Sequence, residues 1–98
     1  MTISKSLNET ALTLKLSGRI DANTSPLLEN ELNASLDGVT DLTLDLKEVN
    51  YISSAGLRVL LAAQKRMMKQ GGMRVVNVCE AVMDVLEMTG FTDILTIE

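Results

Sequence analysis

The sequence predicts a single α/β domain in which helices pack on a mixed β-sheet of four to five strands. The 98 residues are 46% hydrophobic and 22% charged, a composition that suits one globular domain over residues 1–98. Segments with apolar residues at every second position alternate along the chain with segments in which they recur every three to four residues. The resulting order, ββαβαβαβ, is typical of right-handed crossovers over a mixed sheet.

Strand signals occur at five places. The three stronger segments, with alternating leucines or consecutive β-branched residues, are residues 11–16, 42–46 and 75–78. Gly18 is expected to end the first of these strands. Residues 2–7 and 94–97 are weaker candidates. The segment 2–7 should form a hairpin or neighbouring pair with the strand that follows it.

Three helical segments lie between the strands. The first opens at residues 23–26, where capping side chains precede a proline, and continues with leucines repeating every four residues. The second should begin near residues 53–54 and run to Gln70, before two glycines. The third covers residues 80–89 and stops at Gly90, a residue suited to a left-handed helix cap.

The composition argues against a catalytic or metal site. With no histidine and one cysteine, Cys79, the chain has no Ser-His-Asp triad, no His-ligated metal site and no internal disulfide. No nucleophile-base pair accompanies its few candidate acids. We therefore expect neither an enzyme nor a protein that needs a cofactor or a metal.

Membrane and nucleic-acid roles are also disfavoured. No apolar run approaches the roughly 20 residues needed to cross a bilayer, and residues 1–6 lack the apolar region of a signal peptide. The expected compartment is the cytoplasm, without membrane insertion. Tyr51 and Phe91 are the only aromatic residues, so direct nucleic-acid binding by base stacking is not expected.

The second helical segment carries a basic stripe. Between residues 50 and 79 every charged residue is basic, although the chain has a net charge of −4. At about 100° per residue, the stripe comprises Ser54, Arg58, Ala62, Lys65 and Lys69. It fits an acidic protein partner, with a solvated helix face as the alternative.

The apolar arc of the same helix is wider than the roughly 100° that a helix needs to lie on a sheet. A neighbouring helix of the domain could cover the extra width. Alternatively, an exposed edge docks a partner, with Met67 and Met68 as adaptable contacts. The sequence leaves both explanations open.

Two serines stand where a loop enters this helix. Free backbone amides and the positive end of the helix dipole favour an anion there, and a phosphate on Ser54 could pair with Arg58 one turn later. The alternative is structural, with Ser53 capping the helix and Gly56 permitting close packing.

Residues 45–61, DLKEVNYISSAGLRVLL, resemble the signature of the STAS domain, the family of bacterial anti-sigma factor antagonists. Residues 16–21, LSGRID, are similar to an element at a strand end in this family. In that element a glycine is followed by any residue, a hydrophobic residue and an aspartate. Residues 82–94 are similar to its last helix and turn. The resemblance covers nearly the whole chain.

This resemblance implies a binding module that catalyses nothing itself. In such systems the unphosphorylated antagonist binds an anti-sigma factor, which is also a serine kinase, and thereby frees a sigma factor. The kinase inactivates the antagonist by phosphorylating one serine, which aligns with Ser54, and a metal-dependent serine phosphatase resets the switch. We expect the partner-binding surface to comprise Asp21, Ser53, Ser54, Ala55, Gly56, Arg58, Lys65 and Lys69.

The sequence departs from the sporulation-type motif Asp-Ser-Ser-Gly-Leu-Gly at three positions. Ser53 stands in place of the aspartate, Ala55 in place of the second serine and Arg58 in place of the last glycine. Ser53 therefore becomes a competing phosphorylation site. Kinase recognition is expected to rely on Asp21 or on the strand end at Asp45, although Asp21 could instead close its own loop by bonding backbone amides.

The resemblance allows a second role. STAS-like domains also serve as accessory or regulatory modules of transporters and lipid-transfer systems, where they dock without phosphorylation. A phosphorylatable Ser54 argues mildly against this role. The sequence leaves open the oligomeric state and the sigma factor concerned.

Overall fold

Four strands form one mixed sheet in the order β1-β2-β3-β4 in a computed structural model that describes residues 1–98. The strands are β1 (Thr2–Asn8), β2 (Ala11–Ile20), β3 (Asp41–Ile52) and β4 (Gly72–Val76). The helices are α1 (Ser25–Ser35), α2 (Ser54–Gln70) and α3 (Glu80–Met88), followed by a 3₁₀ turn at Phe91–Asp93. β1 and β2 form an antiparallel hairpin, and β3 and β4 add in parallel. The predicted hairpin and mixed sheet are therefore confirmed.

One face of the sheet holds the hydrophobic core. Alternate leucines of β2 and β3 are buried in a single cluster of 23 apolar residues. Val82 and Leu86 of α3 belong to the same cluster. Burial of each large apolar side chain stabilises the fold by about 1.5–3 kcal/mol. The opposite face carries polar side chains such as Thr13 and Lys15, so the domain has a helix layer and an open sheet face.

Two strand boundaries differ from the sequence prediction. Gly18 does not end β2, because it adopts a φ of +97° at an irregularity in the pairing with β3, and the strand continues to Ile20. β3 likewise continues through Lys47 and Glu48 to Ile52. A shift of the β2–β3 register there allows Val49 to be buried despite two adjacent polar residues, and the shift after Gly18 does the same for Ile52.

The last two predicted strand segments are also corrected. β4 spans Gly72–Val76 and not residues 75–78, since Asn77 adopts a left-handed backbone with a φ of 57°. The prediction of a strand at 94–97 is wrong, because only Ile97 bridges to β4. The early end of β4 leaves little edge for a fifth strand to join.

The helix limits agree closely with the prediction, and α1 lies beside α2. Gln70 donates from its Nε2 to the carbonyl oxygens of Leu36 and Val39, each at 2.6 Å. Leu32 of α1 lines the same small cleft as Val59 and Ala63 of α2, so a neighbouring helix covers part of the wide apolar arc of α2. Met67 is fully buried, whereas Met68 is 70% exposed. None of the helices has the length and apolar character needed to span a membrane.

Candidate docking site at the start of α2

The start of α2 is fixed by the ends of two parallel strands. Ile20 of β2 lies opposite Ile52 of β3 in the register of the sheet. The Ser53 N–H donates to the Ile20 carbonyl oxygen at 2.8 Å, which ties the loop before α2 to the end of β2. The first turn of α2 therefore emerges at the carboxyl edge of the sheet, beside the β2–α1 loop.

Gly56 allows α2 to approach that edge. A β-carbon on Gly56 would stand 2.7 Å from Ile20 Cγ2 and 2.8 Å from Ile52 Cγ1, which is too close for a real side chain. Gly56 is buried, and a contact between Gly56 and a partner stays a prediction. Gly56 therefore positions α2, in agreement with the interpretation that it permits close packing.

The two candidate serines have different environments. Ser53 is half-buried at the N-cap of α2, where its Oγ accepts a hydrogen bond from the Gly56 N–H at 3.3 Å. The capping role considered for Ser53 is thus confirmed. Ser54 is the first residue of α2 and is exposed, and its hydroxyl forms no hydrogen bond within the protein. Ser54 presents the more accessible hydroxyl.

The surroundings of Ser54 favour a negative charge. The first turn of α2 contains no acidic residue, and the helix dipole places partial positive charge on its free N–H groups. Ala55 is half-buried beside Ser54, and Arg58 is exposed one turn further on. Arg58 forms no ion pair. An anion at Ser54 would therefore meet backbone donors and one free guanidinium group.

The predicted basic stripe lies on an exposed face of α2. All of its residues, Ser54, Arg58, Ala62, Lys65 and Lys69, are exposed. The lysines, like Arg58, form no ion pair. The structure thus brings the predicted partner-binding residues of α2 onto one surface, apart from the buried Gly56 and the half-buried Ser53 and Ala55.

Asp21 is engaged in its own loop. Its Oδ1 accepts hydrogen bonds from the backbone N–H groups of Asn23 and Thr24, both at 3.0 Å, and its Oδ2 lies 3.6 Å from Arg19 Nε. The Thr24 N–H, more than any other group, holds the pKa of the Asp21 carboxyl below its ordinary value. The loop-closing role suggested for Asp21 is confirmed, and a role in kinase recognition stays a prediction.

Asp45 lies away from this site. It sits within β3, seven residues before Ile52, which is about 23 Å at the usual rise of a strand. Its Oδ1 accepts from Asn77 Nδ2 and from the Lys47 N–H, each at 3.0 Å. The Asn77 amide is the main cause of a lowered pKa of the Asp45 carboxyl. The predicted strand end at Asp45 is wrong, because β3 continues to Ile52, and a role of Asp45 in kinase recognition stays a prediction.

Sequence reasoning missed one pair at the edge of the site. The Arg19 guanidinium lies 4.1 Å from the centroid of the Tyr51 ring, which joins the ends of β2 and β3 on the open face of the sheet. The two residues face each other only because of the register shift after Gly18. No periodic signal in the sequence reports such a shift.

A shallow groove of about 220 Å³ lies between the starts of α1 and α2. Pro26 and Glu29 line it from α1, and Ala55 and Arg58 line it from α2. The groove extends the surface around Ser54 towards α1. The chain contains no group of three or more His, Cys, Asp or Glu side chains that could hold a metal ion.

The model of one protein family, described as the STAS domain, matches residues 2–98. Over 91 residues the chain is 33% identical to the anti-sigma-B factor antagonist of Bacillus subtilis (strain 168). The aligned region covers 92% of this chain and 84% of the relative. An anti-sigma factor antagonist from Mycobacterium paratuberculosis has a similar structure, with a TM-score of 0.88, 28% identity, and coverage of 98% of this chain and 83% of the other.

The fold is also that of the anti-sigma factor antagonist SpoIIAA, whose structure is known in two states. The unphosphorylated form gives a TM-score of 0.85 at 13% identity, covering 99% of this chain and 88% of the other. The phosphorylated form, from Bacillus, gives a TM-score of 0.76 at 12% identity, and the match covers 99% of this chain and 91% of the other. At these identities the likeness concerns the fold.

Proposed function

The chain belongs to the STAS domain family, and we propose that it binds a cognate anti-sigma factor when unphosphorylated and so releases a sigma factor. The family is regulatory, and its curated relatives are named as anti-sigma factor antagonists. We further propose that this anti-sigma factor is a serine kinase that phosphorylates Ser54, and that a serine phosphatase removes the phosphate. With these partners, we expect the protein to act in the cytoplasm.

The difference between Ser53 and Ser54 carries the proposal. A kinase must bring the serine hydroxyl to its own active site, which requires an exposed side chain. Ser53 is half-buried, and its Oγ is occupied by the Gly56 N–H. Ser54 is exposed on the face that also carries Arg58. Its environment supports Ser54 as the residue modified.

A phosphate on Ser54 would change the charge of the surface without a change of fold. It adds a charge of about −1.5 to −2 at pH 7, next to the free N–H groups of α2 and one turn from Arg58. Ser54 is exposed and its hydroxyl forms no hydrogen bond within the protein, so the core has no reason to rearrange. A partner fitted to a neutral-to-basic surface would meet a dianion, which must be desolvated and repels acidic groups.

The expected loss of binding is large enough to exchange partners. A misplaced charge within an interface that costs about 3 kcal/mol lowers affinity roughly 100-fold. Arg58 would be neutralised at the same time, which removes an attractive contact. The phosphorylated protein would therefore leave the anti-sigma factor free to hold its sigma factor.

Calorimetry with the purified anti-sigma factor tests this proposal. Ser54→Ala should bind like the wild type, whereas Ser54→Asp should bind markedly more weakly, since aspartate supplies part of the phosphate charge. Ser53→Asp is the matched control, because it places the same charge one residue away. Equal binding by Ser54→Asp and Ser54→Ala would contradict the charge mechanism and favour docking without phosphorylation.

A further inference from the structure

α2 carries cations that the rest of the molecule leaves free. Its sequence contains four basic residues and no carboxylate, although the chain has 13 acidic and 9 basic residues. Arg66 is used within the domain, where its Nη2 lies 2.7 Å from Asp37 Oδ1. Lys65 and Lys69 are exposed and have no carboxylate within ion-pair distance. An acidic protein that leaves these cations unpaired on one helix face offers a surface complementary to an acidic partner.

These lysines lie too far from Ser54 to be controlled by its charge. At 1.5 Å per residue, Lys65 is about 16 Å and Lys69 about 22 Å along α2 from Ser54. The screening length at physiological ionic strength is about 8 Å. A phosphate on Ser54 would neutralise Arg58, which is about 6 Å along the helix, but would leave the distal lysines attractive.

An exposed apolar side chain accompanies the lysines. Met68 is 70% exposed and lies between them in sequence. At about 100° per residue it falls on the flank of α2 opposite Val59 and Ala63, which face α1. Leu61, one turn before Lys65 on that flank, is only half-buried. Flexible methionine side chains adapt well to partner surfaces. The combination of free cations with an exposed apolar residue is typical of a contact surface.

We propose that Lys65, Met68 and Lys69 form a second docking surface, the distal surface, for an acidic patch on the anti-sigma factor. This inference rests on the function proposed above. Lys65 and Lys69 raise the rate of association in both states of Ser54, because phosphorylation does not screen them. Met68 slows dissociation by contact. Phosphorylation then acts mainly on the dissociation rate, through the surface around Ser54 and Arg58.

Association kinetics with the full anti-sigma factor, measured by stopped flow at low and physiological salt, test the distal surface. The double variant Lys65→Gln/Lys69→Gln should associate roughly three- to tenfold more slowly at low salt, and the difference should shrink with added salt. Lys15→Gln/Lys47→Gln is the matched control, since it removes two exposed, unpaired lysines from the open sheet face. The control should change the association rate less than about twofold.

The same experiment in the Ser54→Asp background separates this inference from the proposed function. The distal variant should slow association by the same factor there, and Met68→Ala should speed dissociation about fivefold. Equal slowing by the sheet-face control, no effect of the distal variant, or unchanged dissociation of Met68→Ala would overturn the distal surface. Failure of Ser54→Asp to weaken binding would instead count against the phosphorylation switch. Matching melting temperatures establish that all the variants are folded.

Discussion

Gly56 of α2 lies against Ile20 of β2 so closely that a β-carbon on Gly56 would stand 2.7 Å from Ile20 Cγ2. This approach brings the first turn of α2 down onto the carboxyl ends of β2 and β3. Ser53 is thereby half-buried under the turn, and Ser54 is left exposed above it. The exposure of the proposed phosphorylation site thus depends on a buried glycine.

Gly56→Ala should destabilise the protein by about 1–3 kcal/mol, because the added methyl group overpacks a buried contact. Urea unfolding measures the change. Gly72→Ala is the control, since its β-carbon would meet nothing within 4 Å. Equal free energies of unfolding for the two variants would show that the approach of α2 to Ile20 is not tight.

Ser53→Ala should lower the free energy of unfolding by about 1 kcal/mol, because the N-cap hydrogen bond to Gly56 is lost. Ser54→Ala should stay within about 0.5 kcal/mol of the wild type, as its hydroxyl bonds nothing in the protein. Both values come from the same denaturation experiment. A larger loss of unfolding free energy in Ser54→Ala than in Ser53→Ala would mean that Ser54, and not Ser53, caps the helix.

Ser54→Asp should make the fold slightly more stable than Ser54→Ala, by about 0.3–1 kcal/mol at low salt. The carboxylate would lie at the positive end of the α2 dipole and four residues before Arg58. Unfolding at low and high salt measures the difference, which should diminish as salt is added. If Ser54→Asp were less stable than Ser54→Ala, weakened partner binding by Ser54→Asp would have to be explained by damage to the fold.

Stability should fall in acid partly through Asp21 and Asp45. Hydrogen bonds to both carboxylates lower their pKa in the folded protein from an ordinary value of 3.8. Each therefore stabilises the fold above that value and loses the contribution as the pH falls through its lowered folded pKa. Asp21→Asn and Asp45→Asn should be less stable at pH 7 and show a shallower loss of stability below about pH 5.

Urea midpoints measured across pH 2–7 test this expectation. Asp84→Asn is the control, because the Asp84 carboxylate is exposed and forms no hydrogen bond or ion pair. An unchanged acid profile in Asp21→Asn and Asp45→Asn would mean that the hydrogen bonds to these carboxylates do not favour their ionised form.

Local signals in the sequence predicted α2 well. A capping serine, an uninterrupted helical pattern and two glycines mark its limits, and the structure places the helix at Ser54–Gln70. The same signals located the exposed basic stripe, because helical periodicity alone determines which residues share a face. The start of the candidate site could therefore be found without the structure.

The strands depended on contacts that no local pattern reports. Gly18 is a strand residue because β2 pairs with β3 on both sides of an irregularity, and that pairing also carries β3 past Lys47. The same register shift places Arg19 over Tyr51. The segment around Ile97 has a strand-like composition but finds only a short edge at β4. Pairing between strands determines these features, and the β-propensity of the residues does not predict them.

The central claim is that Ser54 carries a phosphate in the cell. The most direct measurement is the intact mass of the protein purified from its own cells, before and after serine phosphatase treatment, with fragmentation to locate the modification. We predict one phosphate on Ser54 that the phosphatase removes. A phosphate on Ser53, or an unmodified chain under every growth condition tried, would contradict the account.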